Sequence, residues 1–147
     1  MFFIISLTFS APNLLINSSS KEIKNAENVS VYKEAYTYAV KDNKYITDFI
    51  SSIQYGNTTV DTEYYTYDDL GNILTVTVGS ELKLSYEYDD AFQLIRENNK
   101  YANATYVYEY DRYGNITSKK TYSYTTGALG TVTNTVTYTY GDESWGD

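Results

Sequence analysis

Polar and apolar residues alternate at a period of two along much of the second half of the chain. The alternation is clearest over residues 82–88 and 105–110, where every second residue is leucine or tyrosine. Those apolar positions are Leu82, Leu84, Tyr86 and Tyr88 in the first segment, and Tyr106, Tyr108 and Tyr110 in the second. An apolar face with this period is typical of a half-buried strand, and tyrosine, threonine and valine suit a pleated surface. The pattern therefore predicts an all-β fold.

A nine-residue motif follows the alternation and occurs twice in full. Residues 65–73 and residues 108–116 both read Tyr-x-Tyr-Asp-x-x-Gly-Asn-Ile. Aspartate first and glycine fourth are typical of a type I turn, in which aspartate accepts backbone hydrogen bonds and glycine tolerates a positive φ. Each copy therefore predicts two strands joined by a tight turn. The defining residues are Tyr65, Tyr67, Asp68, Gly71 and Asn72 in one copy, and Tyr108, Tyr110, Asp111, Gly114 and Asn115 in the other.

Weaker copies of the motif lie at similar spacings. One keeps Tyr86, Tyr88 and Asp89 but lacks the glycine, and another keeps Tyr138 and Tyr140 with shifted turn residues. A possible further copy at residues 36–38 lacks the aspartate. The second tyrosines of successive copies are 21, 22 and 30 residues apart, and the longest interval holds an extra segment around residues 126–130.

The repeat length predicts the architecture. Two strands and two turns fit in about 20 residues at ordinary strand lengths. A single hairpin buries too little apolar surface to be stable alone, so each needs a neighbour on both sides. The sequence therefore predicts antiparallel β-hairpin repeats that form a segment of a longer, curved sheet. Between units, Gly79 suits the first central position of a type II′ hairpin turn.

The first third of the chain shows the repeat poorly, and we divide the chain into residues 1–31 and a repeat region of 32–147, clear from about residue 61. The apolar run at residues 2–9 is too short to span a bilayer. It is either part of a signal peptide over residues 1–11 or a strand left by truncation, and the lack of a preceding Lys or Arg favours the strand. The polar stretch of residues 17–31 predicts a loop, a linker or one short helical turn. Residues 45–50 and 52–55 are predicted to be two strands, with a turn at Gly56-Asn57.

Composition excludes several classes of function. The 147 residues include no histidine and no cysteine, which rules out Ser-His-Asp triads, thiolate zinc sites and disulfides. A net charge of −8 argues against nucleic acid and against anionic membrane surfaces as partners. The carboxylate pairs Asp68-Asp69 and Asp89-Asp90 could suggest a glycosidase or a calcium site. We interpret the first of each pair as a turn residue and the second as solvated, so we expect no catalytic residue, metal or cofactor.

The motif resembles the YD repeat of the Rhs family, which includes bacterial Rhs polymorphic toxins, shell subunits of insecticidal toxin complexes and teneurins. The final Tyr-Thr-Tyr-Gly-Asp-Glu-Ser-Trp-Gly-Asp at residues 138–147 is also similar to a Tyr-x-Tyr-x-Asp-x-x-Trp-x-Asp segment of bacterial Rhs proteins. The resemblance covers roughly residues 36–147. It implies a β-ribbon that spirals into a hollow shell around or beside a toxin domain, in a secreted or cell-surface bacterial protein. Family members are far longer, so we expect a fragment, a truncated reading frame or a decayed copy.

Two functions follow from this sequence. The resemblance implies a structural, non-enzymatic wall whose partners are neighbouring YD repeats and a toxin or effector cargo. The family also has an aspartate-based autoproteolytic motif, and that motif has no match in this sequence. The alternative is an extracellular carbohydrate-binding or adhesion module that stacks its tyrosines on sugar rings. Because the tyrosines alternate with polar residues, we interpret them first as cross-strand ladders within the sheet.

Overall fold

The computed structural model describes residues 4–8, 18–41, 45–56 and 62–141, and the regular structure in these residues is entirely β. They form eleven strands: β1 (Ile4–Thr8), β2 (Ser18–Lys24), β3 (Ser30–Lys41), β4 (Tyr45–Tyr55), β5 (Thr62–Tyr67), β6 (Ile73–Val78), β7 (Glu81–Tyr88), β8 (Leu94–Asn99), β9 (Ala104–Tyr110), β10 (Ile116–Ser123) and β11 (Val132–Thr137). The all-β prediction is confirmed. These ranges contain no helix long and apolar enough to cross a membrane.

The chain divides into two compact units, residues 1–81 and residues 82–147. In the first unit, β1 to β6 follow one another across the sheet, and each pairs antiparallel with the next. In the second unit, β7 to β11 do the same. Each unit is therefore a meander of hairpins, which is the arrangement that the repeat predicts.

The polar stretch before β3 is mainly strand, and the prediction of a loop over residues 17–31 was wrong. Residues 18–24 form β2, and β3 begins at Ser30, so the turn is confined to the five residues between them. The register places Lys21 opposite Glu34 and Glu22 opposite Lys33. Opposite charges across a strand pair stabilise a sheet without an apolar pattern, which is why the alternation gave no signal here.

The structure also bears on the strands predicted at residues 45–55 and in the N-terminal apolar run. Residues 45–55 form the single strand β4 where two strands were predicted. Within the N-terminal apolar run, β1 pairs with β2 from Ile4↔Lys24 to Thr8↔Ser20, as the strand interpretation of that run requires. The turn glycine Gly79 has a φ of 59°, as the first central position of a type II′ turn requires.

Cross-strand pairing gives the second unit a tyrosine face and a polar face. Tyr86 lies opposite Glu97, Glu97 lies opposite Tyr106, and Tyr108 lies opposite Lys119. Directly paired residues share a face, so these side chains and the alternate tyrosines of β7 and β9 form the tyrosine face. The polar face carries the intervening residues, among them Ser85, Glu87, Arg96, Asn98 and Thr105.

The sheet has little fully buried apolar surface. Among the described residues, the buried hydrophobic side chains are Val76, Ala104 and Tyr122. The motif tyrosines from Tyr65 to Tyr110 are half-buried. β11 is exposed along its whole length. A sheet face leaves its apolar side chains in this intermediate state unless a further layer or neighbour covers it.

Candidate functional site: the repeated turns and the tyrosine face

The Asp111 turn shows how the motif residues work together. The Gly114 N–H donates to the Asp111 carbonyl (3.1 Å), and the Asp111 N–H donates to the Asn115 carbonyl (2.9 Å). One carboxylate oxygen of Asp111 accepts from the N–H groups of Tyr113 (2.8 Å) and Asn115 (3.0 Å), and the other accepts from the Asn115 side-chain amide (2.9 Å). Gly114 has a φ of 88°. This is a type I turn closed by a left-handed residue, as the motif predicts.

The Asp68 turn repeats the same geometry. The Gly71 N–H donates to the Asp68 carbonyl (3.2 Å), and the carboxylate accepts from the N–H of Leu70 and from both the backbone and side chain of Asn72. Gly71 has a φ of 91°. The hydrogen bonds from the asparagine side chains are the main cause that lowers the pKa of Asp68 and of Asp111, since they stabilise the ionised carboxylates.

The copy that lacks glycine still makes the turn. The Phe92 N–H donates to the Asp89 carbonyl (2.9 Å), and Asp89 Oδ1 accepts from the N–H groups of Ala91 and Gln93 (2.9 Å each). Phe92 takes the position of the glycine with a φ of 62°, which is uncommon for a residue with a side chain. The turn conformation therefore persists where the sequence pattern has been lost.

A further copy of the turn was missed by the sequence analysis. Between β2 and β3, Asn25 Oδ1 accepts from the N–H groups of Glu27 (3.1 Å) and Val29 (2.9 Å), and the Asn28 N–H donates to the Asn25 carbonyl (3.1 Å). Asn28 has a φ of 63°. Asn25 thus replaces the aspartate and Asn28 the glycine, since asparagine both accepts such bonds and tolerates left-handed backbone. The Asn-x-x-Asn spacing was the signal that could have revealed it.

The second tyrosine of each full motif is bound to the preceding strand. The Tyr110 hydroxyl donates to the Leu94 carbonyl of β8 (2.7 Å), and the Tyr67 hydroxyl donates to the Ile50 carbonyl of β4 (2.7 Å). Burial raises the pKa of both tyrosines. Both bonds join a turn-bearing hairpin to the strand before it, so the tyrosine is a joint between repeats.

Phe49 and Gln93 directly precede the two residues whose carbonyls accept these bonds. Each lies against the glycine of the turn that follows the tyrosine. A β-carbon on Gly71 would come within 2.6 Å of the Phe49 ring, and one on Gly114 would come within 3.1 Å of the Gln93 side-chain amide. The Phe49 ring also stacks on Tyr67, with centroids 5.1 Å apart. We call this pair of contacts the repeat joint. In it, the tyrosine hydroxyl donates to a carbonyl of the preceding strand, and the side chain of the residue before that carbonyl lies against the turn glycine.

The first tyrosine of each full motif is paired with a carboxylate of its own unit. The Tyr108 hydroxyl donates to Glu97 (3.1 Å), and the Tyr65 hydroxyl donates to Glu63. In β3, Tyr32 and Tyr36 both donate to Glu34 (3.0 Å each). Burial is the main cause that raises the pKa of Tyr65 and Tyr108. Neighbouring carboxylates add to the rise because they disfavour a phenolate.

A lysine completes the tyrosine face of the second unit. Lys119 Nζ lies 4.0 Å from the ring centroid of Tyr106 and 5.5 Å from that of Tyr108, within range of cation–π attraction. The rings are thus covered in part by Lys119, and the hydroxyl of Tyr108 is used within the sheet. The face is organised chiefly by contacts among its own residues.

The last motif copy does not form as predicted. β11 ends at Thr137, so Tyr138 and Tyr140 lie outside a strand and are 40% and 55% exposed. The Tyr138 N–H still donates to the Thr117 carbonyl (3.0 Å). The Rhs-like segment beyond residue 141, including Trp145, lies outside the described residues.

The aspartate pairs have the structural roles that the sequence predicts. Asp68 and Asp89 close their turns, while Asp69 and Asp90 are exposed. Within the described ranges, no group of three or more acidic side chains is close enough to hold a metal ion. No protein-family model matches the chain, and no curated protein matches it. The resemblance to YD repeats therefore rests on the motif residues themselves.

Proposed function

We propose that this chain is a non-catalytic structural segment of an Rhs-type YD-repeat shell that encloses or displays a toxin or effector domain. The repeat joint is the observation that carries the proposal. At Tyr67 and at Tyr110, the same two contacts connect a turn to the strand before it. A wall built of joints of one kind can be lengthened by adding hairpins without any new kind of contact.

The small buried core supports the same proposal. The described residues bury few apolar side chains completely, and the motif tyrosines are only half-buried. A sheet of this kind gains stability from further repeats at its ends and from a layer against its face. Neighbouring YD repeats and a cargo polypeptide are the partners that the proposal supplies, in a bacterial protein that is secreted or held at the cell surface.

The glycan-binding alternative has weaker support. Sugar recognition by tyrosine uses an exposed ring face together with a free polar tip. The hydroxyls of Tyr65, Tyr67, Tyr108 and Tyr110 are bound to carboxylates or carbonyls of the sheet. A glycan array with Tyr108→Ala as the comparison tests this alternative, because specific binding that this change abolishes would favour adhesion over the wall.

The wall proposal is tested on the reading frame that flanks this segment. We expect additional Tyr-x-Tyr-Asp-x-x-Gly-Asn units upstream and a separate domain downstream. In the extended protein, limited proteolysis should leave the downstream domain uncut, and the double variant Tyr67→Phe/Tyr110→Phe should increase its cleavage. Tyr101→Phe is the matched control, because Tyr101 is 63% exposed in a turn. Flanking sequence without repeats, or a cargo cut equally fast with and without this segment, would overturn the proposal.

A further inference from the structure

The loop between β10 and β11 departs from the repeat. It spans the eight residues 124–131, whereas five residues separate the strands at each full motif turn (68–72 and 111–115), and it contains the extra segment of the 30-residue interval. An insertion in a regular scaffold is a common place for a binding site, because it can change without disturbing the sheet.

An arginine on the polar face fixes this loop. Arg96 Nη2 donates to the carbonyls of Thr125 (3.0 Å) and Gly127 (2.7 Å). Its Nε donates to Asn98 Oδ1 (2.9 Å), and its Nη1 lies 3.4 Å from the Glu87 carboxylate. The Arg96 side chain is 15% exposed. One half-buried guanidinium thus connects two strands to the loop with charge-assisted bonds.

A buried threonine fixes the loop at a second point. Thr105 is fully buried, and its hydroxyl oxygen accepts from the Thr125 N–H (3.0 Å). The single proton of that hydroxyl goes either to the Thr125 carbonyl (3.0 Å) or to Asn98 Oδ1 (3.1 Å). Asn98 is 3% exposed and donates to Ser85 (2.8 Å). Polar groups are costly to bury, so this network holds the loop in one conformation.

The fixed loop and the start of β11 form a half-open cavity of about 450 Å³. That volume lies within the roughly 300–1,000 Å³ of small-molecule sites. None of the lining residues is charged, and five of the seven carry hydroxyl groups: Ser123, Tyr124, Thr125, Thr131 and Thr133. Two of these hydroxyls already bond within the chain, since Thr125 Oγ1 accepts from the Gly127 N–H and the Thr133 hydroxyl donates to the Thr121 carbonyl (3.0 Å each). Ser123, Tyr124 and Thr131 therefore supply most of the hydrogen-bonding capacity toward a ligand. Hydroxyls both donate and accept, which suits a ligand that is itself rich in hydroxyl groups.

We propose that this cavity binds a neutral sugar residue. The hydroxyl lining supplies hydrogen bonds to sugar hydroxyls, and Tyr124 supplies an aromatic surface. An anionic ligand is disfavoured, because the lining offers no cation and the chain carries a net charge of −8. The loop is held in place before the ligand arrives, which lowers the entropic cost of binding. The site is separate from the tyrosine face and goes beyond a role in a shell.

The test is a titration of the 147-residue protein, followed by amide NMR spectra, with glucose, galactose, N-acetylglucosamine and the anionic comparator glucuronate. We expect at least one neutral sugar to cause saturable shifts confined to residues 123–133, and glucuronate to cause none. Thr131→Val keeps the size of the side chain and removes a lining hydroxyl. It should weaken binding roughly fivefold, as the loss of one hydrogen bond predicts.

Two variants serve as controls for this titration. Thr126→Val lies in the same loop but outside the lining and should leave the affinity unchanged. Arg96→Lys keeps the charge but has one donor nitrogen where arginine uses three, so it cannot hold the two loop carbonyls together with Asn98 and Glu87. The exchange of the loop amides should therefore accelerate and the affinity should fall. No saturable shift with any neutral sugar, shifts on the tyrosine face instead, equal binding of glucuronate, or equal effects of Thr126→Val and Thr131→Val would each overturn the proposal.

Discussion

The hydroxyl of Tyr110 lies 2.7 Å from the carbonyl oxygen of Leu94 and joins two successive repeats with one hydrogen bond. Tyr67 and Ile50 have the same relationship in the first unit. A tyrosine in this position does more than fill a half-buried strand, because its hydroxyl satisfies a carbonyl of the preceding strand, and at Tyr67 the ring also stacks on Phe49 of that strand. Stability should therefore depend on the hydroxyl separately from the ring.

Removing that hydroxyl alone tests the joint. Tyr110→Phe and Tyr67→Phe should each reduce the free energy of unfolding by about 1 kcal/mol, since each removes one hydrogen bond and leaves a carbonyl without its donor. Urea denaturation followed by circular dichroism measures the change. Tyr101→Phe, at an exposed turn position, should alter stability by far less. Equal effects at Tyr101 and Tyr110 would mean that the joint contributes nothing specific.

The turn glycines should differ in their tolerance of alanine. Gly71→Ala and Gly114→Ala both force a left-handed backbone on a residue with a side chain, at a cost of about 1–2 kcal/mol each. Gly71→Ala should cost more, because its β-carbon would lie 2.6 Å from the Phe49 ring, while Gly114→Ala meets only the Gln93 amide at 3.1 Å.

Two comparisons check the glycine prediction by thermal or chemical unfolding. Gly130→Ala is the matched control, since Gly130 has no positive φ and a β-carbon there would meet nothing within 4 Å. It should leave stability unchanged or slightly raised. Adding Phe49→Ala to Gly71→Ala should lower the extra cost of Gly71→Ala. Additive losses in that double variant would contradict a steric origin.

Phe92→Gly should stabilise the protein. Phe92 has a φ of 62° and is 56% exposed, so glycine would relieve backbone strain and expose little apolar surface. The gain should be about 0.5–1 kcal/mol, after allowing for the greater freedom of glycine in the unfolded chain. The unfolding midpoint of Phe92→Gly against wild type measures it, with Leu70→Gly as the comparison at an exposed turn position that precedes the glycine. A clear loss in Phe92→Gly would show that the aromatic ring itself holds the turn.

Acid should weaken the turns at Asp68 and Asp111. The folded-state pKa of each is lowered, chiefly by the asparagine side chain that donates to it. Their contribution is therefore complete above the unfolded pKa of about 3.9 and is lost as the pH falls through the lower folded value. Urea midpoints measured from about pH 7 down to pH 2 should fall, and the fall should be shallower in Asp111→Asn. An unchanged acid slope in that variant would contradict this assignment.

Alkali should weaken the packing around Tyr65 and Tyr108. The pKa values of Tyr65 and Tyr108 are raised by burial and by their neighbouring glutamates. A raised folded pKa gives stability that is complete below the unfolded value of about 10 and is lost as the pH rises toward the folded value. Tyrosine absorbance should show late ionisation together with unfolding. Tyr108→Phe cannot ionise and should resist alkali better than wild type does, whereas Tyr113→Phe, at a position 72% exposed, should not.

The sequence predicted those parts of the fold that are determined by neighbouring residues. The turns at Asp68 and Asp111 depend on residues within five positions of one another, so the motif revealed both the turn and its left-handed glycine. The alternation of Tyr106, Tyr108 and Tyr110 likewise revealed their shared face. β2 escaped prediction because its residues are mostly polar and show no apolar alternation. Its pairing with β3, where Lys21 lies opposite Glu34 and Glu22 opposite Lys33, involves residues that are distant in the sequence.

The contacts between repeats and around the cavity could not be predicted in this way. The bonds from Arg96 to the loop join residues 29 and 31 positions apart, and only the folded register brings them together. The Phe49 ring over Gly71 has the same origin. An arginine or a phenylalanine in a strand has many possible partners, and no spacing rule selects one of them.

The position that closes each turn is occupied by Asn28, Gly71, Phe92 and Gly114, yet the backbone reverses at all four. Each reversal is local, so a substitution at one leaves the others intact. During evolution such a protein can lose the sequence motif from one hairpin after another and keep its architecture. Homologous proteins of this kind should keep the same backbone fold after their sequences have diverged, and structure comparison is the way to identify them.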